Sequence, residues 1–81
     1  MILCDVNVLT YAHKRGAPRH AELRRWLEAL VSGESAYGVS DLVLSGFVRV
    51  VTLARLWDRP STLDEALRFV AAVRDAPAAV S

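Results

Sequence analysis

The sequence predicts an α/β fold with a parallel sheet flanked by helices, and three features of its pattern support that prediction. Apolar runs at residues 1–4, 36–39 and 78–80 have the length of short buried strands. The segments between them carry apolar residues at helical spacing. The resulting order of strand, helices, strand, helices, strand is typical of an α/β sandwich.

The first half of the chain predicts one strand and two helices. The strand of residues 1–4 ends at a charged residue, as strands do at the rim of a sheet. Residues 6–13 predict a short helix, and Pro18 suits the first turn of the next one. Gly33 is a natural end for that second helix. Its apolar face follows the i, i+3, i+4, i+7, i+8 pattern and consists of Leu23, Trp26, Leu27, Leu30 and Val31.

The second half predicts two further helices. Ser40 is a favourable N-cap for a third helix over residues 41–52, which is apolar nearly all round and is therefore expected to be buried on most sides. Thr62 and Glu65 form a capping-box pattern for a fourth helix that ends near Asp75. The residues predicted to lie in the core or in a contact between chains are Trp26, Leu27, Leu30, Phe47, Val51, Leu67 and Val70.

Composition limits the class of protein. A chain of 81 residues forms one small domain, and its 53% of hydrophobic residues indicates either a rich core or apolar surface meant for something outside this sequence. The net charge of +1 gives no overall field that would recruit nucleic acid. The single cysteine, Cys4, excludes an internal disulfide and is expected to act as a small hydrophobe. No signal peptide or membrane-spanning run is visible, which predicts a cytoplasmic protein.

Asp5 is the first candidate functional residue because it directly follows a predicted buried strand. Open α/β sheets place their ligands at the carboxyl ends of their strands, and hard cations such as Mg²⁺ prefer carboxylate oxygens. An N-cap for the helix of residues 6–13 explains Asp5 equally well. Asn7 either hydrogen-bonds Asp5 or a metal-bound water, or makes a local bond in the first helical turn.

Asp41, Ser45 and Arg49 form the second candidate, a polar stripe on an otherwise apolar helix. Their spacing of four residues puts them on one face, which must meet water, a metal cleft or a phosphate. Compensation of the helix dipole also explains Asp41, and an ion pair also explains Arg49. Ser45 has no adjacent base and is rejected as a nucleophile. His13 and His20 are expected to face solvent.

These motifs together resemble a known family. The opening I-L-C-D-V-N-V-L-T-Y-A-H is similar to the start of PIN domains of the VapC toxin family, in which an apolar strand leads into D-x-N, V-L and Y-A. The stretch S-D-L-V-L-S-G-F-V-R-V-V-T of residues 40–52 resembles the third-helix segment of one VapC subgroup. The downstream P-S-T-L-D-E-A-L-R-F-V also fits, so the resemblance covers essentially the whole chain.

The resemblance implies a fold and an activity. The fold is a PIN-like three-layer sandwich, and residues 1–81 are expected to form a single PIN domain whose C-terminal part is missing. The activity is that of a Mg²⁺- or Mn²⁺-dependent endoribonuclease, a toxin restrained by a VapB-like antitoxin and expected to form a homodimer. Asp5 matches the first metal-binding aspartate of the family. Asn7, Ser45 and Arg49 are expected to support the metal site or face the RNA.

Two departures from the family pattern bear on the site. Many members carry a glutamate on the third helix where this sequence has Gly46, so Asp41, one turn earlier, is assigned as the second catalytic carboxylate. The family's remaining aspartates fall after residue 81, which predicts an incomplete acidic cluster and an unpaired strand at 78–80. The alternative function is a catalytically incomplete PIN fragment that acts as an antitoxin-binding or dimerisation module.

Overall fold

The computed structural model describes residues 2–80. Residues 1 and 81, which belong to the predicted first strand and the predicted chain end, lie outside the described residues. The elements in chain order are strand β1 (Ile2–Leu3), helix α1 (Val6–His13), helix α2 (His20–Ser32), strand β2 (Tyr37–Gly38), helix α3 (Asp41–Thr52), a 3-10 turn (Ala54–Leu56), helix α4 (Leu63–Arg74) and strand β3 (Ala79–Val80). No helix in this stretch is both long and apolar enough to span a membrane.

The three strands form a parallel sheet in the order β1-β2-β3, which confirms the predicted α/β class. Ile2 aligns with Tyr37, which aligns with Ala79 in the next strand. The prediction that the last strand is unpaired is wrong. Tyr37 N in β2 donates a hydrogen bond to Ala78 O, just before β3, at 3.1 Å. Val39 N, just after β2, donates one to Val80 O in β3 at 2.9 Å. The short apolar run finds its partner within the chain because the α3–α4 crossover returns it to the free edge of β2.

The core lies between the sheet and the helices. Helix α1 packs against α2 and α3, and α3 packs against α4. Leu9, Phe47 and Val51 are fully buried there. Tyr37, also fully buried, donates its hydroxyl hydrogen bond to Val73 O at 2.6 Å and so ties the central strand to α4.

Residues 2–80 leave the other face of the sheet uncovered. Side chains alternate along a strand, so Leu3, Gly38 and Val80, which align across the sheet, share the face opposite Tyr37. Leu3 is 77% exposed and Val80 44% exposed. Both crossovers step in the same direction, and right-handed crossovers place all four helices on one face. Residues 2–80 therefore build the sheet and one helical layer of the predicted sandwich.

Most of the predicted core is buried, with exceptions. Leu27, Phe47, Val51 and Val70 are buried, whereas Trp26 and Leu67 are exposed in the single chain. Whether these two meet another chain stays a prediction. The prediction that α3 is buried on most sides is wrong along one side, because Leu42 is 84% exposed. Because α3 is apolar nearly all round, the spacing of its apolar residues does not tell which side of the helix faces solvent.

Candidate active site

Asp5 lies in the turn between β1 and α1. Its exposed side chain caps the helix, with Oδ1 accepting a hydrogen bond from Val8 N at 2.9 Å. The cap occupies one carboxylate oxygen and leaves the charge and the second oxygen available. The preceding Cys4 is buried, and burial followed by the neighbouring Asp5 charge raises the pKa of its thiol. Cys4 is therefore a neutral core residue, as predicted, while Asp5 projects from the sheet edge.

Asp41 lies one residue beyond the corresponding place after the neighbouring strand, because the register that aligns Leu3 with Gly38 puts Ser40 opposite Asp5. It is the first residue of α3, which Ser40 caps through a hydrogen bond from Val43 N to Oγ at 3.1 Å. Strands β1 and β2 are parallel neighbours, and Cys4 N donates to Gly38 O at 3.1 Å just before the two turns. Asp5 and Asp41 thus leave adjacent strands at the same carboxyl edge, and both are exposed.

Gly46, in the middle of α3, lies against the start of α1. A Cβ atom at this position would be 3.1 Å from Cγ2 of Val6, the residue that follows Asp5. The place where the resemblance predicts a glutamate in many relatives is therefore next to the candidate site. In this chain it offers no carboxylate, because glycine has no side chain.

Comparison with known proteins identifies the family. The PIN-domain family matches residues 2–80, which is nearly the whole chain and includes both strand-end carboxylates. The chain belongs to the PIN-domain family. This confirms the resemblance that the opening motif and the third helix predicted.

The curated relatives of this PIN domain are named as VapC ribonucleases. The VapC ribonuclease Mb2897 of Mycobacterium bovis and the ribonuclease VapC43 of Mycobacterium tuberculosis are each 42% identical over 80 residues, which cover 99% of this chain and 54% of the relative. Ribonuclease VapC25 of Mycobacterium tuberculosis is 38% identical over 77 residues, which cover 95% of this chain and 54% of the relative. The chain thus spans about half the length of these relatives.

The other predicted site residues are exposed on α1 and α3. Asn7 lies in the first turn of α1, and no described residue forms a hydrogen bond with its side chain. Ser45 and Arg49 lie one and two turns after Asp41, about 6 and 12 Å further along α3 at 1.5 Å per residue. Arg49 takes part in none of the salt bridges within residues 2–80, so the alternative of a structural ion pair has no support there.

The carboxylates at this edge provide some of the ligands that a hard divalent cation needs. Within residues 2–80 no group of three or more His, Cys, Asp or Glu side chains is arranged to hold a metal ion. Mg²⁺, however, is commonly bound through one or two carboxylates, with waters and substrate phosphates completing its octahedral shell. Asp5 and Asp41 supply two carboxylates at the same edge of the sheet. That they share one cation stays a prediction.

The sequence prediction that His13 and His20 face solvent is wrong. His13 Nε2 lies 2.9 Å from Ser61 Oγ, and its ring contacts the rings of Phe47 and Phe69 edge-on at centroid distances of 5.3 and 4.8 Å. His20 Nδ1 lies 2.9 Å from Tyr11 O, and its ring is half-buried. His13 follows the buried Leu9 by four residues, so helical spacing already places it on the core side of α1.

Proposed function

We propose that this PIN domain is part of a metal-dependent endoribonuclease toxin of the VapBC type, which hydrolyses phosphodiester bonds in RNA in the cytoplasm. The observation that carries the proposal is the placement of Asp5 and Asp41 at one sheet edge, in a domain similar to named ribonucleases. On this proposal the two carboxylates hold Mg²⁺ or Mn²⁺. Such a cation lowers the pKa of a coordinated water and neutralises charge that builds up on a phosphate.

The chain's own residues then bind and orient the RNA. Asp5 is held in place by its hydrogen bond from Val8 N, so one oxygen is fixed while the other is free to bind. Asn7 donates from its amide to a water or a ribose oxygen near this edge. Arg49 offers a planar guanidinium that binds a phosphate through two parallel hydrogen bonds, and Ser45 offers a hydroxyl between Arg49 and Asp41. The exposed stripe on α3 would therefore align about 12 Å of RNA backbone with the carboxylates.

The test is metal-dependent cleavage of a structured RNA by the purified protein. Asp5→Asn and Asp41→Asn are each expected to reduce the rate by at least about a hundredfold, because each removes a charged ligand without changing shape. Asp64→Asn is the matched control: Asp64 is an exposed aspartate at the start of α4, and its surface ion pair with Arg68 contributes little. Cleavage that survives both active-site substitutions, or that proceeds equally in EDTA, would refute the proposal.

A second candidate function is supported by the open face of the sheet. Leu3 and Val80 place exposed apolar surface there, which favours association. On this alternative the chain is a catalytically incomplete PIN module that binds a VapB-like antitoxin or a second copy of itself. Tight antitoxin binding or dimerisation that is weakened by Leu3→Ser, with no cleavage in either metal, would support this alternative. The toxin proposal expects the same partners together with cleavage.

A further inference from the structure

A cavity lies at the opposite end of α1 from Asp5. It has a volume of about 750 Å³ and is formed by the end of α1 and the connection over residues 56–61. Because α1 has eight residues, the cavity is about 12 Å from the Asp5 cap along the helix axis. Neither Asp5 nor Asp41 lines it. Its volume is in the range of small-molecule and cofactor sites.

Lys14, the only lysine in the chain, lines this cavity and is almost fully buried at 8% exposure. Its Nζ donates a hydrogen bond to Arg59 O at 2.8 Å and lies 4.9 Å from the centroid of the Trp57 ring. No carboxylate among residues 2–80 forms a salt bridge with it. An ammonium group has three N–H donors, so the carbonyl leaves donors available to a ligand. Burial lowers the pKa of Lys14, and the charge of Glu65 offsets that shift only in part, so a bound anion would stabilise the ammonium group further.

The other charged side chains around the cavity leave a positive excess. Arg15 and Arg59 line it with Lys14, against the carboxylates of Asp58 and Glu65. Glu65 accepts a hydrogen bond from Thr62 N through Oε1 at 2.9 Å in the capping box and keeps its negative charge, so three cations face two carboxylates. Two guanidinium groups and one ammonium group are the donors that proteins use to bind phosphate.

The remaining walls suit the rest of a nucleotide. Trp57 is held by a hydrogen bond from Nε1 to Val50 O at 2.8 Å and is half-buried, so its ring is a fixed aromatic surface. Fixed aromatic rings stack with bases in proteins that bind single-stranded RNA. The hydroxyl of Ser61, which is oriented by His13, adds a polar group at the cavity wall.

We propose that this cavity binds the phosphate group of a ribonucleotide, with Lys14, Arg15 and Arg59 around the phosphate and Trp57 beside the base. The residues around the cavity support this site independently of the proposed ribonuclease function. That the nucleotide belongs to an RNA chain rests on the proposed ribonuclease function, and a free mononucleotide is the other source of the same chemistry. If RNA is the source, the cavity anchors the chain about 12 Å from the carboxylates.

The test is a titration of the purified protein in EDTA, so that no cleavage occurs. In a Trp26→Phe background Trp57 is the single tryptophan, and its fluorescence reports on the cavity. The probes are inorganic phosphate, adenosine 5′-monophosphate and a short single-stranded RNA. The mononucleotide is expected to change the fluorescence and to bind more tightly than inorganic phosphate, because Trp57 contacts the base. Tighter binding of the RNA than of the mononucleotide identifies RNA as the source, and the reverse order identifies a free nucleotide.

Two variants and one control decide the outcome. Lys14→Gln and Arg59→Gln are each expected to weaken mononucleotide binding about tenfold, the loss expected for one charge-assisted hydrogen bond. Arg25→Gln, an exposed arginine on α2 outside the cavity, is expected to leave the affinity unchanged. If Lys14→Gln fails to fold, Arg59→Gln alone tests the proposal. That variant keeps the backbone carbonyl of residue 59, so the hydrogen bond from Lys14 remains. A folded Arg59→Gln protein that binds as tightly as the control would overturn the proposal, as would equal affinity for phosphate and mononucleotide.

The failure of this proposal is distinguishable from failure of the ribonuclease proposal. Asp5→Asn is expected to abolish cleavage and to leave the Trp57 titration unchanged, since Asp5 does not line the cavity. Cleavage that depends on Asp5, with no change in Trp57 fluorescence on titration, would support the ribonuclease proposal and refute the nucleotide site. Nucleotide binding at the cavity without any cleavage would support the nucleotide site and refute the ribonuclease proposal.

Discussion

Asp5 has two explanations that substitutions separate, because a helix cap and a metal ligand need different properties of the same side chain. The cap needs only an acceptor oxygen for Val8 N, which the structure places 2.9 Å away. A metal ligand needs the negative charge. Asp5→Asn keeps an acceptor and removes the charge, and Asp5→Ala removes both.

The expected stability differences follow from the cap alone. Replacing a capping Asp by Ala costs about 1 kcal/mol, whereas Asn caps nearly as well as Asp. For a domain of this size, 1 kcal/mol shifts Tm by roughly 4–8 °C. The rest of α1 stays in place, since Leu9 and Ala12 are fully buried. In EDTA we therefore expect Asp5→Asn to melt close to wild type and Asp5→Ala to melt several degrees lower.

Adding metal tests the second explanation in the same assay. A ligand that binds only the folded state at a hundred times its Kd stabilises it by about 2.7 kcal/mol. We expect Mg²⁺ or Mn²⁺ to raise the Tm of the wild-type protein, and both Asp5 variants to lose most of that increase. A metal-induced increase that Asp5→Asn retains in full would show that Asp5 is a cap and nothing more, whatever the melting temperatures in EDTA.

Two further predictions concern the core. Burial, followed by the charges of Lys14, Arg24 and His20 and opposed by Glu65, lowers the pKa of His13 below its ordinary value. Below about pH 6.5 His13 therefore binds protons more readily in the unfolded protein than in the folded one. The free energy of unfolding should decrease there by up to about 1.4 kcal/mol per pH unit. Urea titrations of His13→Gln should lack this slope. Tyr37→Phe removes the 2.6 Å hydrogen bond to Val73 O and should lower the free energy of unfolding by about 1–2 kcal/mol, while Tyr11→Phe should change it little; equal urea midpoints for the two variants would contradict the role assigned to that bond.

The helices that the sequence predicted best are those whose ends have local chemical signals. Helix α1 begins after Asp5 and α3 after Ser40, each with the predicted side-chain cap, and both run over the predicted residues. The capping box of Thr62 and Glu65 likewise starts α4. Helix α2 begins later than its proline suggests, at His20, because Arg19 adopts a left-handed backbone with φ 60°. A local pattern does not reveal that turn.

The interactions that the sequence analysis missed join residues far apart in the chain. His13 and Ser61 are separated by 48 positions, and Lys14 and Arg59 by 45. Both pairs depend on how the connection after α3 returns to the end of α1, which Ser61 N fixes by donating to Val51 O at 2.8 Å. The carboxyl edge was predictable because parallel strands end at the same side of a sheet, so topology alone places the short turn that follows each strand.

The two ends of α1 differ in how well the surrounding structure stabilises the charged side chain at each end. Helix dipoles favour an anion at the N-terminus and a cation at the C-terminus, so Asp5 and Lys14 both stand where the helix stabilises them. Asp5 is exposed and keeps its hydration, so its charge needs no further partner. Lys14 is buried. The dipole, one carbonyl, the Trp57 ring and the charge of Glu65 compensate only part of its lost hydration, and N–H donors remain beside the cavity. Burial of Lys14 therefore favours a ligand at the C-terminal end of α1, whereas a second carboxylate at the same sheet edge, Asp41, favours one at the N-terminal end.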